Sequence, residues 1–216
     1  MLTARYRSLL AELDAWFSGA VEAHRDEVQC RKGCDHCCRG LFDVTPLDAL
    51  LLAEGYREAA PEVRRRLLQG ARSGLAAIAA AAPDWGPPWR IGQIGSERFD
   101  ALCDELDRLP CPALDDDGGC LVYDHRPLVC RAHGVPMYDP GEAAPRGGEC
   151  PLNMPAEGLE DRPALHFDHR GFEARELTLM SEAVDGPGAP PPTRPDALGT
   201  VVASAILTAG RETGDL

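Results

Sequence analysis

The sequence predicts a mainly α-helical fold with irregular cysteine-rich metal-binding loops and at most a few short strands; a small α+β fold is the alternative. Two observations carry this expectation. Apolar residues recur at helical spacing over several long stretches, whereas the cysteines concentrate in short segments punctuated by glycine. Hydrophobic residues make up 44% of the chain but aromatics only 6%, so the core must rest on Leu, Ala and Val.

Leu9, Leu10, Leu13, Trp16, Phe17, Ala20 and Val21 are spaced for one face of a helix over residues 3–28, which delivers the chain to Cys30. A second helix opens at Thr45-Pro46-Leu47-Asp48, with Thr45 as N-cap, Pro46 in the first helical position and Asp48 in the first turn, and is expected to end near Gly55. A third spans residues 61–82, stopped by Pro83 and Pro87-Pro88. A fourth spans 96–109, where Phe99, Leu102, Cys103, Leu106 and Leu109 share the apolar face, so Cys103 is expected in the core. Asp115 to Gly119 has turn composition, placing Cys111 and Cys120 on the flanks of a hairpin-like loop; Leu121–Tyr123 is expected as a short strand and Pro127 as the start of a short helix bearing Cys130. Ala164–Asp168 reads as a strand, which would point His166 and His169 to opposite faces. A Pro-rich linker then precedes a helix over 196–209, expected to dock back on the core, with contact to a partner as the alternative. The expected organisation is an N-terminal helix (1–28), a cysteine-cluster domain (29–152) with a helical insertion at 45–109, a C-terminal extension (153–185), a linker (186–196) and a terminal helix and tail (197–216).

The formal net charge of −13 disfavours nucleic acid and anionic membrane surfaces, because both attract basic proteins. The longest apolar run, Leu75 to Ala82, is far short of the roughly 20 residues a membrane helix needs. The first residues include Arg5, Arg7, Glu12 and Asp14 and do not read as a signal peptide. A soluble, cytoplasmic protein is expected, in which cysteine clusters signal metal or redox chemistry rather than a disulfide framework.

Four cysteines fall at Cys30, Cys34, Cys37 and Cys38, and four more follow at Cys111, Cys120, Cys130 and Cys150. Thiolate sulfur suits zinc, iron or an iron-sulfur cluster. Eight thiols divide into two tetrahedral sites, or into one cluster with spare thiols, and the spacing does not choose between them. The vicinal pair Cys37-Cys38 is awkward in one compact site, which favours different ions or a spare. Four thiolates around a divalent ion leave a net charge of about −2, and Arg31, Lys32 and Arg39 beside the first cluster, with Arg126 and Arg131 flanking Cys130, are placed to offset it. His36 and His133 lie close to cysteines and could replace a sulfur in a mixed site, but eight thiols already suffice, which favours roles beside the ligands or at the surface. Three adjacent aspartates without an alternating pattern read as a solvated turn rather than a calcium loop.

The ordered combination Cys30-x3-Cys34-x2-Cys37-Cys38, Cys111-Pro, Gly119-Cys120-x2-Tyr123, Arg126-Pro127-x2-Cys130-Arg131 and Cys150-Pro151 resembles the YkgJ-type cysteine-cluster family, described as zinc- or iron-chelating domains. The resemblance covers residues 29–152. It implies that Cys30, Cys34, Cys37, Cys38, Cys111, Cys120, Cys130 and Cys150 are the metal-binding set, with zinc or iron as the cofactor. No nucleophile with a general base, phosphate loop or dinucleotide fingerprint is present in the sequence. Three function classes follow: a structural or carrier metal protein, an iron-sulfur enzyme modifying another protein, and a metal-stapled interaction module that uses an acidic surface or the Trp85/Trp89 loop to bind a protein partner.

Overall fold

The computed structural model describes residues 2–31, 33–146, 150–192 and 198–216. Lys32, Gly147-Gly148-Glu149, the end of the Pro-rich linker and the start of the expected terminal helix lie outside the described residues. Seven α-helices are described: α1 (Leu2–Ala23), α2 (Pro46–Glu58), α3 (Pro61–Ala81), α4 (Ser96–Glu105), α5 (Leu128–Ala132), α6 (His169–Asp185) and α7 (Val202–Glu212). Two antiparallel ribbons accompany them. One pairs β1 (Asp43–Val44) with β4 (Thr200–Val201), in the register Asp43↔Val201, and the other pairs β2 (Met137–Asp139) with β3 (Ala144–Arg146), in the register Met137↔Arg146. The fold is therefore mainly α with a few short strands, as the sequence predicts. The chain forms two compact units, Met1–Arg31 with Leu128–Pro191 and Lys32–Pro127 with Pro192–Leu216.

In the second unit the start of α2 follows its sequence signal closely. Asp48 N–H donates to Thr45 Oγ1 and Thr45 N–H to Asp48 Oδ2, both at 3.2 Å, so two of the otherwise orphaned donors are satisfied reciprocally. Helix α2 passes through Gly55 and ends at Glu58, later than expected. The glycine is there for packing: a Cβ on Gly55 would lie 2.7 Å from Cγ of His125, so only a bare backbone admits the imidazole. Pro61 then disfavours helix at Ala60, and α3 begins.

Helices α2, α3 and α7 pack on one another. Tyr56, Leu67, Ala71, Ile78, Val202, Ile206 and Ala209 fill the space between them, so the terminal helix docks on its own unit's core. Tyr56 donates to Asp215 at 2.9 Å, fastening the residues after α7 to α2. Trp85 and Trp89 are 2% and 7% exposed, with rings 5.6 Å apart, and Trp85 also meets Phe99 edge-on. Both indoles therefore pack in the core rather than on the surface of their loop. Helix α4 ends at Glu105, short of 109, and Leu109 instead closes a turn onto Leu106 before Pro110.

In the first unit, α1 ends at Ala23 and packs against α5, α6 and the turn Pro163–Leu165. Leu159, Leu165, Val135 and Met154 form the core with Ala20 and Val28. The Asp139 carboxylate, 1% exposed, accepts N–H groups from Gly141 (2.8 Å) and Arg170 (2.9 Å), pinning β2 to the start of α6. Ala164–Asp168 is not a strand. Pro163–Leu165 is a 3-10 turn, and only His166 makes a bridge, to Tyr138, before Asp168 caps α6 through Gly171 N–H.

Candidate metal centre

All nine cysteines are free thiols. Cys34, Cys37, Cys38, Cys103, Cys111 and Cys120 belong to one unit, and Cys30, Cys130 and Cys150 to the other.

The first group is assembled by backbone pairing across a long sequence gap. His36–Cys38 forms a 3-10 turn closed by Cys38 N–H donating to the Asp35 carbonyl (2.9 Å). The chain then pairs antiparallel with the segment after α4: Gly40 N–H donates to the Leu109 carbonyl and Cys111 N–H to the Cys38 carbonyl, both at 2.8 Å, around an Arg39↔Pro110 bridge. Cys38 and Cys111 are thereby brought alongside. Cys120 is added by the expected loop, where Leu114 bridges Cys120, Asp115 N–H donates to the Gly119 carbonyl (2.7 Å) and Leu121 N–H to the Ala113 carbonyl (2.8 Å). Beyond Cys120 the chain turns instead of extending: Tyr123–His125 is a 3-10 turn, not the expected strand. The loop rests directly on α3, because Gly70 lets the Pro112 carbonyl approach to within 2.7 Å of where a Cβ would stand.

Electrostatics show which thiols share a neighbourhood. The Cys37 thiol is pushed well above its ordinary range, first by its hydrogen bond with Cys38 and then by burial and the charge on Cys38. Burial pushes Cys111 up to about 12, and the charges on Cys120 and Cys37 add to this. Cys120 is raised by burial, against the opposing pull of Arg126. The vicinal pair thus shares one neighbourhood. Cys103 differs: burial raises it to about 11, and the charges it senses are those of Asp100, Asp43 and Asp104 rather than of other cysteines. It packs on the edge of the core, as its place on the apolar face of α4 predicts. Cys34 follows Gly33, which lies against the Asp117 carbonyl of the same loop that carries Cys120.

In the other unit, the segments bearing Cys30, Cys130 and Cys150 meet at Asn153. Its Oδ1 accepts Gln29 N–H at 2.7 Å, while its amide group donates to the Gly134 carbonyl and, at 3.4 Å, to Cys30 Sγ. Gly134 follows the helix carrying Cys130, and Asn153 N–H donates to the Cys150 carbonyl at 2.9 Å. Asn153 is absent from the sequence-based site; the one available signal is a side-chain amide three residues after Cys150. Arg131 bonds Asp14 on α1, so it holds α5 in place.

The donor chemistry fits a thiophilic ion. Soft sulfurs are gathered from distant segments, and mutual repulsion between adjacent thiolates is what a bound cation relieves. Among the described residues, no group of three or more His, Cys, Asp or Glu side chains is arranged to hold a metal ion. A groove of about 750 Å³, lined by Arg39, Arg66, Ser73, Cys111 and Asp115 among others, gives access to Cys111. Of the nearby histidines, His125 packs on Gly55 with Nε2 3.2 Å from Glu58, and His36 lies within the 3-10 turn. Among the described residues, no helix is long and apolar enough to cross a membrane.

A family model matches residues 29–151, which is more than half of the chain: CxxCxxCC, "Putative zinc- or iron-chelating domain". No curated protein and no solved structure matches the chain.

Proposed function

This chain belongs to the CxxCxxCC family, and on that premise we propose that it chelates zinc or iron through cysteine thiolates held in two sets. The larger set is drawn from Cys34, Cys37, Cys38, Cys111 and Cys120 of one unit, and the smaller comprises Cys30, Cys130 and Cys150 of the other. One observation supports the reading: backbone pairing sets Cys38 beside Cys111, and the Leu114↔Cys120 bridge folds Cys120 onto the same loop, whereas Cys103 packs on the edge of the core from α4.

Four-thiolate coordination suits both zinc and iron-sulfur clusters, since each accepts tetrahedral sulfur. The five cysteines of the larger set suffice for four ligands with one thiol in reserve. Three sulfurs in the smaller set leave a fourth position for water or another donor, the open arrangement that zinc uses when it does chemistry. The chelating role requires reduced thiols, which the cytoplasm maintains.

Differential alkylation read by mass spectrometry tests the assignment. Zinc loading is expected to slow labelling at four or more cysteines of the larger set and at Cys30, Cys130 and Cys150, and to leave the rate at Cys103 unchanged. Equal protection of Cys103, or protection of no cysteine in the larger set, would refute it.

A further inference from the structure

We infer that Asn153 is the positioning residue of the smaller cysteine set: its carboxamide donates an N–H to the Cys30 sulfur while tying down the segments that bear Cys130 and Cys150. The inference rests on the chelating role proposed above for these three cysteines.

Local chemistry places the side chain. Cys150-Pro151-Leu152-Asn153 is a turn closed by Asn153 N–H donating to the Cys150 carbonyl at 2.9 Å, and proline is favoured at the second position of such a turn because its ring presets φ. Asn153 therefore stands at a fixed offset from Cys150. Its Oδ1 accepts Gln29 N–H at 2.7 Å, and its Nδ2 donates to the Gly134 carbonyl and, at 3.4 Å, to Cys30 Sγ. Gly134 lies two residues after α5, the helix that carries Cys130.

These partners leave the amide one orientation. Flipped, Nδ2 would face the Gln29 N–H, donor against donor, and Oδ1 would face the Gly134 carbonyl, acceptor against acceptor. One Nδ2 hydrogen goes to Gly134, so the other is held toward sulfur. Gly134 leaves room for both groups: it takes φ +114°, and a Cβ on it would stand 3.2 Å from Cys30 Sγ and 3.7 Å from Asn153 Nδ2. A metal-bound thiolate remains an acceptor, and hydrogen bonds to an ionised acceptor are the strong ones. Groups that orient a metal ligand in this way typically govern affinity by about 10- to 100-fold. Aspartate has nearly the shape of asparagine and keeps the acceptor for Gln29, but it puts an oxygen where Nδ2 stands, against the Gly134 carbonyl and the Cys30 sulfur.

The test titrates the reduced protein with zinc and, in parallel, with ferrous iron, and reads each cysteine by pulse alkylation and mass spectrometry in wild type, Asn153→Asp, Asn153→Ala and Leu152→Asp. Cys30 is exposed, so the reagent reaches it. Leu152 is 47% exposed, so Leu152→Asp adds the same charge one residue away without touching the amide. In Asn153→Asp the free metal needed for half-protection of Cys30, Cys130 and Cys150 is expected to rise about 10- to 100-fold, and Asn153→Ala should rise as well, whereas the larger set and Leu152→Asp stay near wild type. At saturating metal, Cys30 should be labelled faster in both Asn153 variants while Cys130 and Cys150 keep their rates; a merely structural clasp would raise all three alike. Unchanged half-protection, an equal rise in Leu152→Asp, equally faster labelling of all three cysteines, or loss of helical circular dichroism in metal-free Asn153→Ala would each overturn the inference. If neither metal protects Cys30, Cys130 and Cys150 in wild type, the smaller chelating set itself is refuted.

Discussion

Two glycines one turn apart on α3 make opposite predictions, and the contrast tests how the cysteine loop is seated. Replacing either by alanine gains about 0.8–1.0 kcal/mol of helix propensity. At Gly74 the new methyl meets Ala203 Cβ at 3.7 Å, an ordinary contact, so Gly74→Ala is expected to stabilise by about 1 kcal/mol. At Gly70 the methyl meets backbone: the carbonyl oxygen, Cα and carbonyl carbon of Pro112 at 2.7, 3.0 and 3.2 Å. Backbone cannot rotate away, so the loop must retreat by about 0.7 Å to restore ordinary contact, a strain of the kind that costs about 1–3 kcal/mol. Gly70→Ala should therefore be destabilised by about 0–2 kcal/mol, placing it about 1–3 kcal/mol below Gly74→Ala. The retreat also pulls Cys111 from its 2.8 Å bond with the Cys38 carbonyl, so zinc affinity should fall in Gly70→Ala and hold in Gly74→Ala. Urea unfolding of the metal-free proteins followed by circular dichroism, with chelator competition for zinc, reads both effects. Equal stability gains in the two variants would refute the packing argument.

Cys111→Ser is expected to lower bound metal while Cys103→Ala keeps it; the same loss in both, by elemental analysis, would remove the distinction drawn between them. Thr45→Ala should cost about 1 kcal/mol in urea unfolding, because it deletes one half of the α2 cap. The Asp139 carboxyl is held below its ordinary range mainly by the Arg170 N–H, with Gly141 and Glu142 adding to it. A depressed folded-state pKa contributes stability that is complete above the unfolded value, about 4, and lost as pH falls through the folded one. The stability difference between wild type and Asp139→Asn should accordingly shrink as pH drops below about 4, and a difference constant down to acid unfolding would count against this coupling.

Local signals in the sequence were enough to find most of the helices. The Thr45-Pro46-Asp48 cap, the apolar stripe of α1 and the alanine-rich end of α3 each act within a few residues, so periodicity and capping chemistry expose them. Helix α6 was not anticipated, because its start depends on Asp168 and on Asp139 reaching its first turn from a distant ribbon. Gly55 read as a helix end because glycine is a poor helix former, yet its reason lies in His125, 70 residues away along the chain. The candidate ligands were visible as residue types. Their grouping was not, since the Cys38–Cys111 pairing is made by backbone atoms whose partners no spacing encodes.

The central claim is that these cysteines hold a zinc or iron ion, and elemental analysis with an absorption spectrum on protein purified without oxygen or an affinity metal column tests it most directly. The account predicts zinc or iron in near-stoichiometric amount: zinc without a visible band, or iron with labile sulfide and a broad band near about 400 nm if the thiolates carry a cluster. A folded, metal-free protein that takes up neither metal under reducing conditions would contradict it.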